Sequence, residues 1–190
     1  RLVGSEMCIR DSSVTATVTN AATMTTSDLT SNELVIDTTA PATPTVISQT
    51  TNDTTPVITG KATVAAGETL TVEVNGATYT VTPDSNGDWS IDTATATPTS
   101  GTLGTFVDGQ SYPVTAKVTD AAGNTASDAT TNELTIDTTA PATPTVVSQT
   151  TNKTKPVING TATVAAGEKL TVTVNGATYT VVPDSNGNWS

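Results

Sequence analysis

Apolar and polar residues alternate with a period of two along most of the chain. In LTVEVNGATYTV, residues 70–81, Leu70, Val72 and Val74 alternate with Thr71 and Glu73; Asn75-Gly76 interrupts, and Ala77, Tyr79 and Val81 resume the pattern. Such alternation marks a half-buried strand. Asn-Gly is the strongest two-residue hairpin signal, because both central positions of the turn take positive φ. A two-residue loop sets Val74 opposite Ala77, Val72 opposite Tyr79 and Leu70 opposite Val81, so all six share one face. The same rule predicts strands through Ile58, Gly60, Ala62 and Val64; through Trp89 and Ile91 after the turn Asp84-Ser85-Asn86-Gly87; through Tyr112, Val114, Ala116 and Val118; and through Leu134 and Ile136. With Val46 and its neighbours these make seven strands. No run shows helical periodicity, and no apolar stretch approaches the roughly 18 to 20 residues of a membrane-spanning helix.

The pattern itself repeats. Residues 38–90 return as 138–190 with 44 of 53 positions identical, and residues 13–37 return as 113–137 with 16 of 25 identical. A period of 100 residues is far above the roughly 20 to 50 of a solenoid unit and matches a whole β-sandwich. The expected organisation is therefore the last strands of one domain at 13–37, a complete domain at 38–137, and the first half of another at 138–190. Each partial domain leaves core and edge positions open, so end-to-end association by strand complementation is expected. Between the two long copies, the differences at 59, 61, 69, 73, 82 and 88 fall on outward parity, as a packed core would require.

Residues 1–12 stand apart. Both arginines, the only cysteine and one of the two methionines lie in RLVGSEMCIRDS, which resembles a translated sequencing-adapter artefact. It is set aside from the fold as non-native. The rest carries 5 lysines against 16 acids and keeps the chain's net charge of −11. Such a balance repels phosphate and offers no basic stripe, which argues against nucleic acid as a partner. The chain has no histidine, which removes imidazole catalysis and the usual transition-metal ligands. Forty-seven threonines favour strands over helices. A cysteine-free β protein suits an exported bacterial product that does without disulfides.

Asp108-Gly109-Gln110-Ser111-Tyr112 precedes the penultimate strand, where a tyrosine corner would return the hydroxyl to nearby backbone. The run YPVTAKVTDAAGNTASDATTNELTIDTTAPATPTV, residues 112–146, resembles the bacterial immunoglobulin-like repeats of large surface adhesins and biofilm-associated proteins, in which a VTDxAGN loop, a last strand and a DTTAPxxP linker recur at every domain. The resemblance spans residues 13–190. It implies an all-β fold of tandem Ig-like antiparallel β-sandwiches, an extracellular or cell-surface setting, and a spacer role between neighbouring repeats of one chain. Contact with a host or bacterial glycan or protein would then lie in modules outside this stretch.

Tracing the strands as a sandwich places residues 65–68, 84–88 and 120–124 at the pole nearest the preceding domain, and 50–55, 75–76, 93–110 and Asp137 at the other. Asp37 then enters beside Asp120, Asn124 and Glu68. Ca2+ takes six to eight oxygens, and the related adhesin repeats bind it at such joints, which carries a calcium expectation onto Asp37, Asp120 and Asp137. The plainer alternative is a solvated acidic surface with Asp-Ala-Ala-Gly-Asn as a turn, Gly123 or Asn124 taking positive φ. Asp84-Ser85-Asn86-Gly87-Asp88 imitates the start of an EF-hand loop but lacks the glutamate at position twelve and the flanking helices, so it reads as a hairpin turn.

Trp89, Tyr79 and Tyr112 lie on inward parity and read as core rather than as a sugar platform. Lys61 and Lys117 lie outward, away from any crosslinking partner. Threonine and serine abound without a group to activate them, so no catalytic constellation is expected. Two other functions compete with the spacer: a ligand-binding Ig-like module for glycan or protein, marked by an exposed aromatic patch, and an accessory sandwich of a secreted polysaccharide-degrading enzyme. The linker Asp37–Pro44 carries two prolines and should be a short semi-rigid spacer.

Overall fold

The computed structural model describes residues 9–190. The chain forms two compact units, one ending at Thr138 and one covering Thr139–Ser190. The division falls within a residue of the repeat boundary at 137/138. Among the described residues, all regular structure is β.

In the first unit, β1 (Ile9–Ser12), β2 (Thr17–Thr19), β3 (Thr25–Ser27) and β4 (Leu34–Asp37) precede the complete repeat. That repeat runs β5 (Thr45–Val46), β6 (Gln49–Thr51), β7 (Val57–Lys61), β8 (Thr69–Val74), β9 (Ala77–Val81), β10 (Asp88–Asp92), β11 (Ser100–Gly101), β12 (Ser111–Tyr112), β13 (Val114–Thr119), β14 (Thr125–Ser127) and β15 (Leu134–Ile136). The second unit holds β16 (Thr145–Val146), β17 (Gly160–Thr161), β18 (Leu170–Val174), β19 (Ala177–Val181) and β20 (Asn188–Trp189).

The complete repeat is a sandwich. One sheet has the order β10-β7-β5; the other is β11-β9-β8-β13-β14, and β12-β15-β6 forms a third. One apolar core draws Val46, Ile58, Trp89 and Ile91 from the first sheet against Leu70, Val72, Val74, Ala77, Tyr79, Val114, Ala116 and Val118 from the second, closed by Leu134 and Ile136. The chain changes sheet near its start: β5 pairs antiparallel with β7, and three residues later β6 pairs parallel with β15. That crossing carries the chain from the first sheet to the third.

The expected hairpin holds in detail. Leu70 pairs with Val81, Val72 with Tyr79 and Val74 with Ala77. Asn75 and Gly76 take φ of 45° and 87°, the left-handed pair of a type I′ turn. Tyr112 makes the expected corner: the Val107 N–H donates to its hydroxyl at 2.8 Å, and its ring meets Phe106 edge to face at 4.9 Å.

Three features differ from the sequence expectation. First, the repeat has eleven strand segments rather than seven. Gln49–Thr51 and Ser100–Gly101 are short edge strands held by backbone pairing, so no alternating pattern announces them. The last strand is also split into β14 and β15, between which Asn132 takes a positive φ of 62°. Second, the turn at Asp84–Asp88 is tight, with the Asp84 carboxylate Oδ1 accepting the N–H groups of Asn86 and Asp88 at 2.8 and 2.9 Å. It links strands of different sheets, so it is a crossover between layers and not a hairpin. Third, residues 9–12 are extended and pair with β4, setting Ser12 opposite Leu34. One period later Tyr112 stands opposite Leu134. Backbone pairing asks for no particular side chains, so residues of a different composition still form a strand beside β4.

Candidate functional site

The loop between β13 and β14 is built by its two ends. The Asp120 N–H donates to the Asn124 carbonyl at 3.1 Å and the Gly123 N–H to the Asp120 carbonyl at 3.2 Å. Gly123 supplies the positive φ, 92°. The Asp120 carboxylate then closes on Asn124 twice: Oδ1 accepts the backbone N–H at 2.8 Å and Oδ2 accepts the side-chain amide at 2.9 Å. The same amide nitrogen, Nδ2, also donates to the backbone carbonyl of Asp37 at 3.0 Å. A single side chain thus ties the loop of one repeat to the last residue of the repeat before it, 87 positions upstream.

Hydrogen bonding to Asn124, the largest influence, holds the Asp120 carboxyl below its ordinary value, against a smaller opposing effect of burial. The Asp37 carboxylate is engaged locally, its Oδ1 accepting the Thr39 N–H at 2.9 Å; this closes a small turn that starts the linker. Glu68 behaves alike, Oε2 accepting the Ala65 N–H at 2.8 Å. Its loop runs beside the 120–124 loop: a β-carbon built on Gly67 would sit 4.0 Å from Ala121 Cβ. Asp137 lies at the opposite pole with Thr51, whose carbonyl accepts the Asp137 N–H at 2.9 Å. Asp37, Asp120 and Asn124 therefore meet, the Glu68 loop flanks them, and Asp137 stands where the next joint would begin.

As a cation site this arrangement offers the Asp120 carboxylate, the Asp37 carbonyl and the Asn124 amide. Ca2+ takes six to eight oxygens, so water would have to supply about half of them. Among the described residues, no group of three or more acidic side chains gathers to hold a metal. The Asp120 carboxylate and the Asp37 carbonyl are bridged by the Asn124 Nδ2 amide, an N–H donor, so a hard cation would have to displace that nitrogen to reach both oxygens.

Tyr79 and Trp89 are buried and Lys61 and Lys117 exposed, as their parity requires. One buried acid was not foreseen. Glu133 is 2 % exposed, and its Oε2 accepts the Val114 N–H at 2.8 Å. Pro113 separates β12 from β13, and residues 128–133 between β14 and β15 belong to no strand, so no ladder reaches the N–H on that side and the carboxylate takes its place. Glu33 does the same for Val14 at 3.2 Å. The sequence signal was the recurrence of Asn-Glu-Leu at both copies, 32–34 and 132–134.

Two layers, a first strand shared between sheets, and a tyrosine corner are the features of an immunoglobulin-like sandwich. The bacterial Ig-like domain family matches residues 45–138, the span from β5 through β15. The middle repeat is a bacterial Ig-like domain. Residues 13–37 and 138–190 repeat parts of its sequence with the 100-residue period. No curated protein matches the chain. A solved structure described as giving insight into host cell-surface retention of a 1.5-MDa bacterial ice-binding adhesin is similar at 26 % identity, covering 92 % of this chain and 60 % of that one, with a TM-score of 0.38. The chain thus spans about 60 % of the length of that protein's solved chain. Among the described residues, no helix is long and apolar enough to cross a membrane.

Proposed function

We propose that these Ig-like domains are spacer repeats of a bacterial surface or biofilm adhesin, building length between the cell and binding modules elsewhere in the parent protein. The observation that carries the reading is the Asn124 bond to the Asp37 carbonyl, which fastens a loop of the complete repeat to the end of the preceding one. A domain of 100 residues measures roughly 35 to 40 Å along its long axis, from a radius of gyration near 13 Å. Reach then grows with copy number. Two prolines in Asp37–Pro44 restrict the backbone of each joint.

Calcium is the second half of the proposal. The Asp120 carboxylate and the Asp37 carbonyl would hold it, with the Asn124 amide turned to present its Oδ1, Glu68 nearby and Asp137 serving the following joint. A bound divalent ion would offset part of the repulsion in a chain of net charge −11 and narrow the range of angles between repeats.

Small-angle scattering on two tandem copies of residues 38–137, in calcium and in chelator, tests both halves. The expected result is a maximum dimension near twice that of one copy, with a narrower distance distribution in calcium. A dimension that fails to grow from one copy to two would overturn the spacer. Identical curves and melting temperatures in both buffers would remove calcium and leave the spacer standing.

A further inference from the structure

The chain enters and leaves the complete repeat at opposite poles. Residues 37–44 lead into β5 from beside the 120–124 loop, where Asn124 holds the Asp37 carbonyl, and Asp137 departs beside Thr51. Tension along the chain therefore draws the first strands toward one pole and the last strand toward the other, and these strands pair with each other. β6 lies parallel to β15, with Gln49 opposite Leu134, Thr50 opposite Thr135 and Thr51 opposite Ile136. The Gln49 N–H donates to the Glu133 carbonyl at 2.7 Å and the Asp137 N–H to the Thr51 carbonyl at 2.9 Å, so bonds close this ladder at both ends.

Strand direction decides how such a ladder meets force. The bonds of a parallel pair are evenly spaced between the strands. Strands pulled in opposite senses along their own length must slide, which strains all of these bonds together before any one breaks. Pulled apart across their length, the same strands open bond by bond, and only the end bond resists. The last strand is further held on its other side. β15 pairs antiparallel with β12, the Gly109 N–H donates to the Ile136 carbonyl at 2.8 Å, and the Ile136 N–H donates to the Gln110 carbonyl at 3.0 Å. Just past the strand, the Thr138 N–H donates to Asp108 Oδ1 at 2.6 Å. Leu134 and Ile136 belong to the core, so sliding would also drag both side chains toward water. At the entry, β5 pairs with β7 through Thr45 and Val46, a second ladder that runs along the pull.

We propose that the complete repeat is a tension-bearing element, in which the parallel pairing of β6 with β15 acts as a shear clamp between the points where force enters and leaves. Resistance to extension is then set by the barrier to unfolding, the quantity that governs forced unfolding, and that barrier is high along the chain and low across the same two strands. That the repeat meets such a load rests on the spacer reading; the clamp itself rests on the strand directions alone.

The test pulls the 190-residue chain in two directions through introduced thiols, in a Cys8→Ser background that removes the only native one. Ala42→Cys with Ala142→Cys, exposed positions one period apart, loads the complete repeat end to end. Ser48→Cys with Thr131→Cys, exposed positions just ahead of β6 and β15, loads the same ladder crosswise from one end. In an optical trap at a single loading rate, the unfolding force should be several-fold higher end to end than crosswise, each event recognised by the length of chain released between its handles. Both geometries pull the same fold, so the comparison reads direction and not overall stability. Equal forces, or a higher crosswise force, overturn the clamp and leave the scattering test of the spacer untouched. A chain of two copies that fails to lengthen while the force ratio holds removes the spacer and leaves the clamp.

Discussion

Lys61 Nζ lies 2.6 Å from Asp88 Oδ1 across the directly opposed positions of β7 and β10, and one period later the same opposed positions hold Thr161 and Asn188. Both charges are lost together. Cross-strand neighbours are the unit in which a sheet's outer face varies, and a lone lysine or aspartate would forfeit its partner. The pair is well exposed, 60 % and 52 %, so its coupling in a double-mutant cycle of Lys61→Thr and Asp88→Asn should be about 0.2 to 1 kcal/mol and fade in high salt. A coupling above that range, or one that resists salt, would contradict this reading.

Gly60 sits opposite Trp89 on the inner side of the same two strands. A β-carbon there would collide with the Thr45 carbonyl and with the indole ring, and Gly160 meets Thr145 and Trp189 in the same way. The ring takes the volume a side chain would fill, which explains a glycine inside a strand. Gly60→Ala should destabilise the Ig-like domain by about 3 kcal/mol or more, read by urea unfolding. A loss below about 1 kcal/mol would mean that the ring moves aside freely.

Two buried polar groups should respond in opposite ways. The Tyr79 hydroxyl has no hydrogen-bond partner among the described residues, and burial pushes its ionisation upward. Tyr79→Phe should therefore be neutral or stabilising by up to about 1 kcal/mol. Glu133→Ala, in contrast, strands the Val114 N–H and should cost about 1 to 3 kcal/mol, whereas Glu133→Gln keeps an acceptor for that N–H and should restore most of the loss. Calorimetric melting of the three variants of residues 38–137 orders them.

Asp120 links the joint to pH. Its folded carboxyl titrates below the ordinary value of 3.8, so the unfolded chain binds the proton first. The stability from this group is complete above the ordinary carboxylate range, and it is lost as pH falls through the lower folded value. Melting temperature measured from pH 6 to pH 2 should fall at the acid end, less steeply in Asp120→Asn. Equal slopes in the two proteins would show that the Asn124 bonds contribute nothing to this dependence.

Much of the sandwich was legible because its inner face obeys one rule. Leu70, Val72, Val74, Ala77 and Tyr79 each sit at the parity the hairpin dictates, and Asn75-Gly76 fixes that parity by itself. What escaped is held by backbone alone. Gln49-Thr50-Thr51 has no apolar alternation, yet it pairs in parallel with β15 because that edge has unpaired backbone groups. Thr23 takes a positive φ of 64° where its counterpart is Gly123, a conformation that no local residue type announces. The candidate joint was legible as a place, through the two poles of a sandwich. The bond from Asn124 to the Asp37 carbonyl was not, since a backbone carbonyl leaves no trace in residue types. Glu133 was hidden for a related reason: its role follows from the break at Pro113 and the gap between β14 and β15, not from its own neighbourhood.

Trp89 is the only tryptophan in residues 38–137, and it lies in the core, so its fluorescence reports directly on whether one hundred residues close one sandwich. Urea unfolding of residues 38–137, followed by Trp89 emission and by far-ultraviolet circular dichroism, should give a blue-shifted native spectrum. Both probes should follow a single coincident transition with a slope of about 1 to 2 kcal/mol per molar. A red, water-exposed native spectrum, or two probes that part company across a broad transition, would contradict a closed core in each repeat.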